Sequence, residues 1–124
     1  MVKPLPPTPP QTLRSSQWAD VGLWILRRRQ RFRITGDSMQ PLLRPGEEVL
    51  IDPRAYRHHP PQLGDLVVAE HPQQPGFRLI KWVVAVEPQG CFLQGINLAA
   101  STDSRSFGWV PPEGILGQVI CRFP

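Results

Sequence analysis

From Phe32 onward the apolar positions fall in short runs, each bounded by glycine or proline. That spacing predicts strands at Phe32–Thr35, Glu48–Ile51, Leu66–Glu70, Phe77–Val86, Cys91–Gln94 and Gly117–Phe123. Gly36-Asp37, Pro45-Gly46, Gly64-Asp65 and Pro72–Gly76 read as turns, and 53–63 and 95–107 as loops. Ahead of the strands, Trp18, Val21 and Ile25 recur at helical spacing behind Ser16, a candidate N-cap. They predict one short helix over 16–29. Residues 1–14 carry Pro4, Pro6, Pro7, Pro9 and Pro10, a composition that gives an extended, disordered tail with no core of its own. The expected organisation is a Pro-rich tail (1–14), a short helical arm (15–30) and a mainly β domain (31–124).

Composition sharpens this picture. A chain of 124 residues, 40% hydrophobic, is one domain by length, able to bury about 65% of its unfolded surface. Sixteen prolines and ten glycines favour short elements and many turns over a helix bundle. The net charge of +4 comes mostly from Arg27, Arg28, Arg29, Arg31 and Arg33. Such a block suits an anionic surface or a solvated face ahead of the first strand. No interleaving of aromatic and basic residues follows it, so no nucleic-acid partner is expected.

Val21–Leu26, the most apolar early stretch, falls far short of the ~20 residues that span a bilayer. Arginines follow it rather than precede it, unlike a signal peptide. No transmembrane segment is expected, and the expected location is cytoplasmic. Peripheral membrane contact through Trp18, Trp24 and the arginines stays open. Cys91 and Cys121 are spaced neither as a disulfide framework nor as metal ligands. His58-His59 is a poor metal signature, so neither metal nor cofactor is expected.

The chemistry concentrates in two residues. Only two of the 14 basic residues are lysines, Lys3 and Lys81, and Lys81 lies inside the apolar run Leu79–Val84. On a strand it shares a face with Leu79 and Val83. An ordinary lysine is about 0.04% neutral at pH 7, and neutralising it costs about 4.6 kcal/mol. Burial lowers a lysine pKa by up to about 3–5 units, which turns the amine into a usable base. Ser38, in the turn Gly36-Asp37-Ser38-Met39, is a candidate nucleophile in need of such a base. A snorkelling edge lysine and an ordinary turn serine are the bland alternatives. His58, His59 and His71 are rival bases, although turn histidines are more often surface residues. The hydroxyl-rich loop Gly95–Gly108 could orient the base, with Asp103 and Arg105 pinning it.

These residues fall in an order that resembles the type I signal peptidases, of the Ser-Lys peptidase superfamily that includes the LexA-like repressors. Gly36-Asp37-Ser38-Met39-Gln40-Pro41 is similar to the nucleophile box, and Gly64-Asp65-Leu66-Val67-Val68 to the Gly-Asp strand box. Leu79-Ile80-Lys81-Trp82-Val83-Val84 resembles the lysine box, and 95–108 the last box. The resemblance implies the small β domain of that superfamily with a short N-terminal helix, and a serine endopeptidase acting on a protein precursor. It implies that Ser38 attacks the scissile carbonyl, that neutral Lys81 takes its proton, and that Ser101 orients Lys81. Asp103 and Arg105 would hold the loop, the Ser38 N–H would serve the oxyanion hole, and Gly36 and Met39 would border the substrate cleft. Many bacterial members carry a hydroxyl where this chain has Gly36, and the last box usually opens Gly-Asp-Asn, here Gly95-Ile96-Asn97. The absence of a membrane span and of a large inserted β domain, with Asp52–Tyr56 and Ser101–Gly108, most resembles the nickel-type superoxide dismutase maturation proteases. That group is implied to remove a short N-terminal extension. The rivals are a general signal peptidase at the membrane, a LexA-like self-cleaving regulator and a catalytically dead binding module using the basic arm. The LexA-like rival suffers because the chain contains neither an Ala-Gly nor a Cys-Gly dipeptide and no room for a helix-turn-helix.

Overall fold

Each strand of the sheet is short because each apolar run ends at a turn residue, and each finds an antiparallel neighbour. In this computed structural model, which describes residues 7–123, the elements are α1 (Trp18–Ile25), β1 (Gln30–Arg33), β2 (Glu48–Asp52), β3 (Leu66–Glu70), β4 (Arg78–Glu87), β5 (Gly90–Gln94), α2 (Ser104–Phe107) and β6 (Ile115–Phe123). Short 3₁₀ turns occur at Leu98–Ala100 and Pro112–Gly114. Among the described residues the strands form one six-stranded sheet in the order β1-β2-β6-β3-β4-β5. Register shifts at Leu50/Ile51, Val68/Ala69 and Val83/Ala85 mark the bulges at which such a sheet bends.

Both faces of the central strands are covered, which is why β3 reads as a continuous apolar run. Leu66 and Val68 face one core with Ile34, Met39, Val49, Ile80 and Trp82. Val67 and Ala69 face a second core with Val83, Leu93, Phe107 and Val110. The same alternation puts Ile80 and Trp82 of β4 in the first core and Leu79 and Val83 against the second. Lys81 lies between Leu79 and Val83 and pairs across the sheet with Val67. The lysine is therefore carried on an apolar face by strand periodicity alone.

The helix is shorter than 16–29. Gln17 occupies the N-cap position, and Ser16, one residue further out, donates its N–H to the Arg122 carbonyl at 2.9 Å. Asp20 caps from inside, accepting from the Gln17 N–H at 2.7 Å and from Arg14 at 2.6 Å. At the other end Arg27 adopts φ +61°, which breaks the helix. The chain then enters β1 two residues earlier than the apolar pattern suggests. Arg31 thus belongs to the first strand, with Arg33, rather than preceding it. Arg31 pairs with Glu48 of β2 and stacks over the rings of Trp24 and Phe123, 5.5 and 4.7 Å from their centroids. Upstream, Leu13 packs against the first core, and residues 1–6 of the Pro-rich tail lie outside the described residues.

Candidate active site

Ser38 sits in the turn that leaves β1. Gly36 has φ +76°, a left-handed angle that glycine adopts without strain. Ser38 is half-buried there, while the neighbouring Met39 is only 2% exposed and roots the turn in the first core. Ser38 and Lys81 line the same small pocket of about 90 Å³, with Phe32, Thr35 and Phe77 among its other walls. Strand β4 brings Lys81 to this pocket and the β1 exit brings Ser38. Their side chains make no direct hydrogen bond; the Lys81 amine is bonded to Ser101 instead.

Lys81 is 3% exposed. Burial lowers its pKa from the ordinary lysine value; the Asp103 carboxylate pulls it partly back up and the Arg105 guanidinium pushes it down again. Its Nζ donates to Ser101 Oγ at 3.1 Å. That hydroxyl has a fixed sense: it donates to Asp103 Oδ2 at 2.7 Å and also accepts from the Gly95 N–H at 3.1 Å. With its one proton committed to Asp103, Ser101 can only accept from Lys81. A neutral Lys81 therefore spends an N–H on Ser101, and its lone pair is free to point into the pocket.

Asp103 anchors the arrangement at 0% exposure. Burial alone would raise its carboxyl pKa. Hydrogen bonds from Arg105, from the Ser101 hydroxyl and from the N–H groups of Gly95 and Arg105 outweigh it and hold the group at about 2. Asp103 is also the N-cap of α2. Arg105 closes the loop by donating to the Leu98 and Ser101 carbonyls at 2.8 and 3.3 Å. Ser104 Oγ accepts from the Leu93 N–H at 2.8 Å, which fastens the loop to β5.

Ser38, Lys81, Ser101, Asp103, Arg105, Gly36 and Met39 thus gather around one pocket and the loop behind it. None of the three histidines lines that pocket. His71 is not the surface residue its turn position suggests. It is 6% exposed, accepts from the Gln73 N–H at 3.0 Å through Nδ1, and packs against the rings of Phe77 and Phe107. A separate hollow of about 460 Å³ between Tyr56, the Pro60-Pro61 segment and Ile115 includes Cys91. Desolvation pushes that thiol up to about 11, so it is protonated at neutral pH and a poor nucleophile. Cys91 and Cys121 are both buried and unpaired.

Two residues that composition did not single out complete the geometry. Gly95 admits no side chain, since a Cβ there would lie 2.7 Å from the Ser38 carbonyl oxygen and overlap Ser101 Oγ. Asn97 ties the loop to the Ser38 turn: its N–H donates to the Ser38 carbonyl at 2.8 Å and its Nδ2 to the Asp37 carbonyl at 3.2 Å. A glycine and an asparagine two apart after a strand were the available signal, but only tertiary structure says which turn they meet.

The family model "Signal peptidase, peptidase S26" matches residues 21–91, a stretch that includes both Ser38 and Lys81. The chain belongs to this family. Mitochondrial inner membrane protease subunit 1 of Xenopus tropicalis is 32% identical over 71% of this S26 chain and 65% of its own length. Mitochondrial ATP-independent inner membrane protease subunit 1b of Arabidopsis thaliana is 36% identical over 70% of the chain and 65% of its own length. A probable signal peptidase I-1 of Synechocystis is 28% identical over 73% and 68%. The S26 chain therefore spans less than two thirds of the Xenopus and Arabidopsis proteins. No helix among its described residues is long and apolar enough to cross a membrane.

Proposed function

We propose that this S26 domain is a serine endopeptidase in which Ser38 is the nucleophile and Lys81 the general base. One observation carries the reading: a serine and a buried, pKa-lowered lysine share one small pocket, with the lysine amine oriented from behind by Ser101. Lys81 takes the Ser38 hydroxyl proton as Oγ bonds to the scissile carbonyl carbon. The Ser38 N–H stabilises the oxyanion. As the C–N bond breaks, Lys81 returns that proton to the departing amine, leaving an acyl-enzyme on Ser38. A water then gives its proton to Lys81, attacks the ester and releases the acid, and the proton returns to Ser38. The gap between Ser38 and Lys81 closes when substrate fills the pocket, as unliganded catalytic hydrogen bonds commonly do.

The substrate in this reading is a protein precursor that loses a short N-terminal extension, with the nickel superoxide dismutase precursor as the named candidate. Its support is the sequence resemblance of Asp52–Tyr56 and Ser101–Gly108 to that group of proteases. We place the reaction in the cytoplasm, where two unpaired thiols are at home. Incubation of the purified chain with that precursor, followed by mass measurement of the new amino terminus, tests both levels. Ser38→Ala and Lys81→Ala are expected to abolish the cut while remaining folded. Processing by either variant at the wild-type rate would contradict the assigned roles.

A second reading, processing at a membrane surface, is favoured by one feature. Trp18, Ile25 and Leu26 are 90%, 67% and 72% exposed and stand beside Arg27 and Arg28. That combination suits an interfacial helix on anionic lipid.

A further inference from the structure

The turn carrying Ser38 is a wall of two hollows. Thr35, Ser38 and Met39 face the small pocket shared with Lys81, whereas Gln40 and Pro41 face an open trough of about 450 Å³ completed by Ile96, Asn97 and Leu98. Leu98 is 51% exposed, yet it does not stand on a loose loop. The Leu98 carbonyl is held by Arg105 at 2.8 Å, the Asn97 N–H by Ser38 at 2.8 Å, and the Asn97 carbonyl by the Ala100 N–H at 3.1 Å. Gly95 leaves no slack on the other side. An apolar side chain held out to solvent by a loop hydrogen-bonded on both sides of it, next to a nucleophile, is preorganised for contact with something that binds there.

We propose that this trough is a second substrate subsite. On the peptidase reading of Ser38 and Lys81, an extended substrate segment crosses the turn. One side chain enters the small pocket, and an apolar side chain on the opposite side of the scissile bond lies against Leu98, Ile96 and Pro41. Leu98 is then a specificity-determining residue. It recognises an apolar residue near the cut, and Asn97 and Arg105 hold its loop in place. The occupant is the substrate itself because the trough borders the reacting groups: its wall residues Gln40 and Pro41 directly follow Ser38 and Met39, and Asn97 donates to the Ser38 carbonyl.

The test is cleavage of a proteome-derived peptide library with blocked amines, in which new amino termini are collected and sequenced. Wild-type chain, Leu98→Asp, Leu98→Ala and Phe77→Asp are compared, the last altering the rim of the small pocket. The wild type is expected to select an apolar residue at one position across the cut from the position that Phe77→Asp alters. Leu98→Ala should weaken that preference about tenfold, and Leu98→Asp should replace it with lysine or arginine. Preferences on the Phe77 side should stay as in the wild type. Leu98 is exposed, so unchanged melting temperatures serve as the folding control. Wild-type preferences on both sides in Leu98→Asp, or changes on the same side as in Phe77→Asp, would overturn the subsite while leaving the peptidase reading intact. A wild-type chain that cuts nothing would overturn both.

Discussion

At the scale of single residues, the proposed function rests on the cost of placing an amine among aliphatic side chains. Lys81 has its pKa lowered chiefly by burial, so activity should rise with pH as the amine loses its proton. The limb should centre below the ordinary lysine value of 10.5. A kcat/KM profile with no limb below that value would contradict the role. The same shift has a stability consequence. A group with a lowered folded-state pKa that is charged at low pH penalises the fold there, and the penalty fades as pH rises toward the unfolded value. Lys81→Met should therefore be inactive yet at least as stable as wild type at pH 7, with its advantage shrinking as pH rises toward 10.5 and gone above it. Denaturant melts at the two pH values check this. Ser101→Ala leaves Lys81 buried but without its acceptor, and kcat should fall with KM little changed. The loss should be about 10- to 100-fold, short of the ~10²–10⁴ attributed to a positioned base.

At the scale of elements, the loop between β5 and α2 is an electrostatic clip, and its centre is Asp103. A carboxyl held at about 2 instead of 3.8 contributes stability above the unfolded value, and that contribution is lost as pH falls through about 2. The magnitude is about 2.5 kcal/mol, one pKa unit corresponding to about 1.4 kcal/mol. Asp103→Asn should flatten the stability–pH curve between about pH 4 and 2, read by urea unfolding; an unchanged slope there would contradict it. The strands were legible because short apolar runs and turn residues agree, β3 to the residue. The ends of α1 and β1 were not. Ser16 bonds to β6 from outside the helix, and Arg31, which looks like a lead-in, becomes a strand residue because Glu48 and two aromatic rings receive it. His71 was misread for the same reason, since the two phenylalanines that cover it lie on different elements.

At the scale of the whole molecule, sequence order placed Ser38, Lys81 and the 95–108 loop in separate boxes; β1 and β5 are opposite edges of the sheet, yet the loop after β5 meets both the Ser38 turn and Lys81. That Gly95 and Asn97 lock the loop to the Ser38 turn depends on packing between distant segments and has no local signature. The exposed apolar face of α1 also acts at this scale. If the molecule works at a membrane surface, it should co-sediment with anionic phosphatidylglycerol vesicles. Trp18→Asp and Leu26→Asp should reduce that binding, and raised salt should weaken it. Equal recovery in the supernatant with and without vesicles would remove that reading.

The most direct measurement follows the amine itself. In a Lys3→Arg variant, Lys81 is the only lysine, so nitrogen-15 lysine labelling gives a single side-chain signal to titrate by NMR. The expected midpoint lies clearly below 10.5, and it should move toward that value on unfolding in urea. A midpoint at or above 10.5 in the folded protein would mean that Lys81 keeps its proton and that Ser38 has no base.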